Sequence, residues 1–178
     1  MARFKKFEKS IAIYHGYGDW PQLDRIEYLQ SIGYTNIHYP YINFDKEWYK
    51  DECKSLFSRE VRAIEDIGLV MGFSLGGYLA FELAGKSRKD LILVNPGIDR
   101  SKTKLDIKYF DIPENRNFGK IETYLGSEDD LIDKNITINF LRESGIKSNT
   151  YIFNGMEHWT YIDEFITIMN NSKLIKKE

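Results

Sequence analysis

Short apolar runs rich in β-branched and aromatic residues recur along the chain, each with the length of a β-strand. Two of them, residues 67–71 and 91–94, are apolar on nearly consecutive positions, which is typical of strands covered on both faces. We therefore expect a sheet with both faces buried. Its predicted strands are Ile11–Tyr14, Asn36–Tyr39, Ile67–Met71, Leu91–Val94, Ile121–Leu125 and Thr150–Phe153.

Between these runs the spacing of apolar residues changes to three or four, which indicates amphipathic helices. The first helix, with apolar positions from Leu23 to Ile32, follows Pro21 and is expected to end at Gly33. The helix after the third strand is expected to end at Gly85. This alternation of strand and helix predicts an α/β fold, a three-layer doubly wound sheet of about six mainly parallel strands. Ligands bind such sheets at the carboxyl ends of the strands.

Composition and charge narrow the class of protein. The 178 residues, 42% hydrophobic and 29% charged, favour a single domain over residues 1–178. Residues 96–120 lack clear periodicity and form either a small cap or a surface excursion; a large lid domain is excluded by length. A net charge of −2 argues against nucleic acid as a partner. No window approaches the roughly 20 apolar residues of a membrane span, so a cytoplasmic location is expected.

The third predicted strand runs directly into Gly72-Phe73-Ser74-Leu75-Gly76-Gly77, and an amphipathic helix follows. This is a G-x-S-x-G pattern between a buried strand and a helix, a setting in which the serine is a nucleophile. The serine occupies a sharp turn, and side chains two positions away on either side would collide with the strand and the helix. We predict that Ser74 is a nucleophile at a helix N-terminus, with a plain tight turn as the alternative.

A serine hydroxyl needs a base, and the base needs an acid that holds its tautomer. His158 lies in a loop just beyond the last strand and is the predicted base. His15 is expected to shape the loop after the first strand, and His38 to pack within the second. The predicted acid is Asp129, three residues after the glycine that ends the fifth strand, with Asp130 as the alternative. Serine, acid and histidine then follow the chain order expected with this turn.

The loop after the first strand, His15-Gly16-Tyr17-Gly18, completes the predicted site. The main-chain N–H groups of Tyr17 and Leu75 are the predicted pair that binds an oxyanion. The acidic residues 128–133 lack the spacing of a calcium loop, and we expect neither a metal nor an organic cofactor. Aromatic residues near these loops either contact substrate or pack. The residues expected to contact substrate are Gly16, Trp20 and Trp159.

Five segments together resemble the α/β-hydrolase superfamily: His15–Gly18, Gly72–Tyr78, Asn95–Pro96, Gly126–Asp130 and Gly155–Trp159. More narrowly, they are similar to small YqiA-type esterases, whose nucleophile helix opens S-L-G-G-Y and whose next strand ends V-N-P. The resemblance spans about residues 10–170. It implies a compact sheet with the second strand at one edge. One departure is the segment 17–20, where small residues are commoner in these esterases.

The resemblance implies hydrolysis of a carboxylic ester or thioester, with Ser74, Asp129 and His158 in the family's nucleophile, acid and base positions. The expected partner is a small-molecule acyl ester or thioester, because the net charge is low and the chain leaves no length for a large lid. Two alternatives use the same residues. One is a binding module that keeps the triad, and the other is an enzyme that transfers the acyl group to an acceptor other than water or cleaves a C–C bond.

Overall fold

The computed structural model describes residues 9–47, 50–98 and 117–175. Within these ranges one sheet contains six strands, paired in parallel throughout in the order β2-β1-β3-β4-β5-β6. The expected parallel sheet is confirmed, and β2 lies at one edge. The strands are β1 (Lys9–Tyr14), β2 (Tyr34–His38), β3 (Leu69–Phe73), β4 (Asp90–Val94), β5 (Ile121–Gly126) and β6 (Asn149–Phe153).

Helices cover both faces of the sheet. They are α1 (Leu23–Ser31), α2 (Phe44–Glu47), α3 (Lys50–Ala63), α4 (Ser74–Ser87), α5 (Lys134–Glu143) and α6 (Ile162–Asn171). Because successive strand residues point to opposite sides, each strand contributes to both layers of packing. In β1, Ala12 and Tyr14 enter the hydrophobic cluster shared with α3 and α4, while Ile11 and Ile13 enter a second cluster shared with α1 and α6. The three layers predicted from the sequence are thus present.

The predicted apolar stripe of α1 is wrong at its first position. Leu23 is 67% exposed, and Arg25 is buried instead. The guanidinium carbon of Arg25 lies 4.4 Å from the centroid of the Phe73 ring, and the same group donates a hydrogen bond to the carbonyl oxygen of Thr160. A cation over an aromatic face and a carbonyl acceptor compensate for the loss of water, which allows an arginine to occupy this position.

Two helix ends were predicted at glycines, and one of them is wrong. Gly33 follows α1 with a φ of +90°, as expected for a residue that stops a helix. Gly85 lies inside α4, which continues to Ser87 and stops at Arg88 with a φ of +56°. The Gly85 carbonyl accepts a hydrogen bond from Asn117 N–H, so this residue is an attachment point for the segment leading to β5. The segment 96–120, predicted to be either a small cap or a surface excursion, falls mostly on residues 99–116, outside the described ranges.

The loops after β1 and β3 leave adjacent strands toward opposite faces of the sheet. The helix after β1 packs in one hydrophobic cluster and the helix after β3 in the other. Such a reversal opens a crevice at the carboxyl ends of the two strands. The position of this crevice places residues 15–19 opposite Ser74.

A buried carboxylate ties α3 to the first two strands. Glu60 is 1% exposed and accepts hydrogen bonds from Tyr14 Oη at 3.0 Å, His38 Nε2 at 2.7 Å and Arg59 Nε at 2.8 Å. Burial alone would raise the pKa of Glu60, but the hydrogen bonds from His38 and Arg59 outweigh it and hold that pKa below its ordinary value. The histidine of β2 therefore packs against a structural anion.

Candidate active site

The turn that carries Ser74 is as tight as the sequence pattern requires. Ser74 begins α4 immediately after β3 and has a φ of +49°, in the left-handed region that strains most residues. A Cβ on Gly76 would lie 2.2 Å from the His15 carbonyl oxygen, and one on Gly72 would lie 2.5 Å from Ala80 Cβ. Both glycines are therefore required by contacts between the strand, the helix and the neighbouring loop.

His158 lies between Ser74 and Asp129. It belongs to the loop between β6 and α6, and its Nε2 is 2.9 Å from Ser74 Oγ. Its Nδ1 is 3.0 Å from each carboxylate oxygen of Asp129. Because Nδ1–H donates to the carboxylate, Nε2 is left to accept the hydrogen bond of the serine hydroxyl. Three side chains from three strand ends thus form one hydrogen-bonded chain.

Asp129 is held by its own loop as well as by the histidine. Its Oδ1 accepts hydrogen bonds from the main-chain N–H groups of Leu131 at 2.9 Å and Ile132 at 2.8 Å. The Asp129 side chain is 1% exposed, whereas Asp130 is an exposed residue. The structure therefore brings Asp129, of the two candidate acids, to His158.

The loop after β1 packs directly on Ser74. A Cβ on Gly16 would lie 3.2 Å from Ser74 Cβ and 3.7 Å from Ser74 Oγ. His15 is fully buried, with Nδ1 bonded to the Gly16 carbonyl at 2.8 Å and Nε2 accepting the N–H of Ile42 at 2.9 Å. Burial lowers the pKa of His15, which favours the neutral ring that this bonding pattern needs. His15 thus shapes the loop, as expected from the sequence.

The side chains of the two predicted oxyanion donors make contacts of their own. Tyr17 Oη donates to an Asp45 carboxylate oxygen at 2.7 Å, which links its loop to α2. Leu75 is buried in the core beneath α4. Each residue can therefore present its main-chain N–H to a ligand. That of Leu75 lies in the first turn of α4, and that of Tyr17 lies in the loop that packs on Ser74.

A cleft of about 330 Å³ lies over Ser74 and His158. Its lining is mixed, and it includes the predicted residues Gly16 and Trp159. Trp20 is 63% exposed and stands outside that lining. The remaining lining residues near the serine include Asp19, Gln22, Arg25, Phe73, Tyr161 and Ile162.

The sequence predicts no individual role for two buried polar side chains near the site, Arg25 and Asn95. An arginine within an amphipathic helix ordinarily lies on the exposed face, so nothing in the local sequence indicates that Arg25 is buried. Asn95 carried one signal. It is an asparagine directly after a buried strand, and asparagine tolerates the left-handed backbone that Asn95 adopts with a φ of +42°.

Within the described residues, no three His, Cys, Asp or Glu side chains gather as a potential metal site. In that same part of the chain, no helix has both the length and the apolar character that crossing a membrane requires.

No family model matches the sequence, and no curated protein matches it. Solved structures do match. An α/β-hydrolase enzyme from a Medee basin deep-sea metagenome library has a TM-score of 0.58 and 18% identity, over 96% of this chain and 78% of that one. The chain has the α/β-hydrolase fold. The narrower likeness to YqiA-type esterases stays a prediction.

Two further matching structures come from Staphylococcus aureus. The fluorophosphonate-binding serine hydrolase F has a TM-score of 0.67 and 11% identity, over 96% of this chain and 84% of that one. S-formylglutathione hydrolase has a TM-score of 0.65 and 14% identity, over 95% of this chain and 82% of that one. At these identities the likeness establishes the fold, and the reaction must be argued from the site.

Proposed function

We propose that the protein is a serine hydrolase that cleaves a small carboxylic ester or thioester. The observation that carries the proposal is the hydrogen-bonded chain from Ser74 Oγ through His158 to Asp129, with links of 2.9 and 3.0 Å. A hydroxyl bonded to a neutral imidazole, itself oriented by a buried carboxylate, is the arrangement that activates a serine nucleophile.

In the proposed reaction Ser74 Oγ attacks the acyl carbonyl carbon while His158 Nε2 takes the hydroxyl proton. The tetrahedral intermediate then expels the alcohol or thiol, which receives that proton from His158. Water attacks the acyl-serine in the same way and releases the carboxylic acid together with free Ser74. Asp129 keeps the proton of Nδ1 in place and stabilises the positive imidazolium formed in each half-reaction. Every step uses groups of the chain, the ester and water.

The developing oxyanion is proposed to accept hydrogen bonds from the main-chain N–H groups of Leu75 and Tyr17. Leu75 lies in the first turn of α4, where N–H groups have no partner within the helix and the helix dipole favours negative charge. The close packing of Gly16 on Ser74 supports the second donor, because it brings the next main-chain group near the nucleophile. Losing one such donor typically costs about 3 kcal/mol of transition-state stabilisation.

The cleft supports a small substrate. A volume of about 330 Å³ lies near the lower end of the range for small-molecule sites. Gly16 and Trp159 line it and are proposed to contact the acyl group, whereas the position of Trp20 argues against a direct contact. Two structural neighbours, one named a fluorophosphonate-binding serine hydrolase and the other a hydrolase of S-formylglutathione, support the same class of reaction.

The test uses an active-site probe and turnover together. The wild type is expected to react with a fluorophosphonate and to hydrolyse p-nitrophenyl acetate or a short acyl thioester. Ser74→Ala should abolish labelling and reduce kcat by about 10⁶-fold, to background. Ser58→Ala, at an exposed position of α3, is the matched control and should behave as wild type. Labelling and turnover that persist in Ser74→Ala would show that the assignment is wrong.

The same assay separates hydrolysis from the alternatives. Product analysis with and without a short alcohol distinguishes release of the free acid from acyl transfer, since transfer yields a new ester. A binding module would bind the probe slowly or not at all and would show no Ser74-dependent turnover on a panel of esters and thioesters. We expect the free acid to be the main product.

A further inference from the structure

Asn95 occupies the end of β4, between the strand that leads to the nucleophile and the strand that leads to the acid. It is 2% exposed and has a φ of +42°, a left-handed conformation that asparagine adopts more readily than other residues with a side chain, apart from aspartate. Its main-chain N–H donates to the Tyr124 carbonyl at 3.0 Å, which continues the pairing of β4 with β5. The turn thus aims the side-chain amide along the carboxyl edge of the sheet.

The amide of Asn95 bonds to both loops that carry Asp129 and His158. Its Oδ1 accepts the main-chain N–H of Gly126, the last residue of β5, at 2.7 Å. Its Nδ2 donates to the carbonyl oxygens of Glu157 at 2.8 Å and His158 at 3.3 Å. One buried side chain therefore contacts the start of the Asp129 loop and the main chain of His158 itself.

These two loops are also bonded to each other. Glu128 N–H donates to the Met156 carbonyl at 3.2 Å, and Ser127 Oγ accepts the N–H of Gly155 at 2.9 Å. These bonds join the two loops directly, independently of β3 and Ser74. Asn95 connects the joined loops to β4, the strand next to the nucleophile strand.

We infer that Asn95 is a positioning residue that fixes His158 and Asp129 relative to Ser74. It touches no reacting atom, and it acts through the main chain of both loops. The inference rests on the proposed function. Because a displacement of about 1 Å in a catalytic group can cost about a hundredfold in rate, three hydrogen bonds from one rigid amide are enough to matter.

Two substitutions test this role. Asn95→Gly removes the amide while keeping the left-handed backbone, and Asn95→Asp keeps the shape but turns a carboxylate oxygen toward two carbonyls. Both are expected to lower kcat for p-nitrophenyl acetate by about a hundredfold while KM changes less than about twofold. Thr123→Val is the matched control. Thr123 lies in β5, away from the triad, and its buried hydroxyl is hydrogen-bonded to Ser148 Oγ at 2.8 Å. The variant loses that hydrogen bond and should retain the wild-type kcat.

A second readout does not depend on turnover. The Nδ1 proton of His158, bonded to Asp129, should give a low-field NMR resonance in the wild type and in Thr123→Val. In the two Asn95 variants it should move upfield or broaden. If Asn95→Gly does not fold, Asn95→Asp carries the test, with circular dichroism confirming the folded state.

The outcomes are distinct. Wild-type kcat and an unchanged His158 resonance in a folded Asn95 variant would overturn the inference. So would a loss of kcat in Thr123→Val equal to that in Asn95→Gly, because the effect would then follow stability and not position. If the wild type hydrolyses the ester no faster than Ser74→Ala, the proposed function is wrong. The position and width of the His158 Nδ1–H resonance would still test whether Asn95 positions the histidine.

Discussion

Replacing Asp129 by asparagine is expected to leave the protein folded and to reverse the polarity of the hydrogen-bonded chain at the site. In Asp129→Asn the side-chain oxygen would keep the bonds from Leu131 and Ile132 N–H, which now measure 2.9 and 2.8 Å. The new amide nitrogen then takes the other carboxylate position, and both it and the retained oxygen lie 3.0 Å from His158 Nδ1. An amide N–H facing Nδ1–H is repulsive, and the neutral amide oxygen, already bonded to two main-chain N–H groups, accepts more weakly than a carboxylate, so the imidazole proton is expected to move to Nε2.

The size of the effect follows from that tautomer. With the proton on Nε2, His158 donates to Ser74 Oγ across the 2.9 Å contact and cannot accept the hydroxyl proton. The imidazolium also loses its neighbouring carboxylate. Removing the orienting carboxylate of a serine triad while keeping its geometry costs about 10⁴-fold in kcat, or about 5 kcal/mol of transition-state stabilisation.

The assay is hydrolysis of p-nitrophenyl acetate near pH 7, with urea unfolding as the check on stability. Asp130→Asn is the matched control, since it makes the same chemical change at the next residue, which is exposed. Its kcat should stay within about twofold of wild type. If Asp130→Asn loses as much activity as Asp129→Asn, or if Asp129→Asn retains most of its activity, then the assignment of the acid is wrong.

Three further results are expected. In Gly126→Ala a Cβ would lie 2.1 Å from the Met156 carbonyl oxygen, so the loops must separate and kcat should fall about a hundredfold; activity near wild type would contradict this packing. Glu60→Gln should lower the free energy of unfolding in urea by about 3 kcal/mol, because the amide removes the buried negative charge and replaces one acceptor oxygen by an NH2 group that faces a donor, and an unchanged midpoint would argue against that role. Burial lowers the pKa of His15 below 6.5, so His15 binds a proton more readily in the unfolded chain than in the folded protein. The contribution of the neutral ring to the free energy of unfolding should therefore be complete above pH 6.5. It should be lost as the pH falls through the lower pKa of the folded state. The pH dependence of unfolding should be weaker in His15→Gln, and equal slopes in the two proteins would count against the buried neutral ring.

The sequence was most informative where a physical requirement acts on neighbouring residues. Consecutive apolar residues predict the buried strands to within two residues: β4 differs from its predicted bounds by one residue, and β3, at Leu69–Phe73, begins and ends two residues later than the predicted Ile67–Met71. Gly72 is required by contacts within one strand, turn and helix, whereas Gly76 is required by the main chain of residues 14 and 15; the G-x-S-x-G pattern predicts the turn without knowledge of that second contact. The edge strand β2 was displaced by two residues at its start, because its exposed positions weaken the apolar pattern.

Long-range contacts account for what the sequence did not predict. Glycine costs only about 1 kcal/mol in a helix interior, and the buried α4 continues through Gly85 to Ser87 because its tertiary packing outweighs that cost. Arg25 is buried by an aromatic ring 48 positions later in the chain, which no local periodicity can indicate. The choice between Asp129 and Asp130 depends on how the Gly126 turn packs against the loop after β6, so the sequence could only favour one of two adjacent carboxylates.

The crowding around Ser74 divides the site into positions that tolerate substitution and positions that do not. A side chain at Gly76 would overlap the main chain of the neighbouring loop, whereas Trp159 and Tyr161 at the cleft are 50% and 62% exposed. Substitutions at the glycines are therefore expected to disturb the fold, whereas substitutions at Trp159 and Tyr161 are expected to be tolerated. Under the proposed function, engineering toward a new ester should vary these two aromatic residues and leave the glycines untouched.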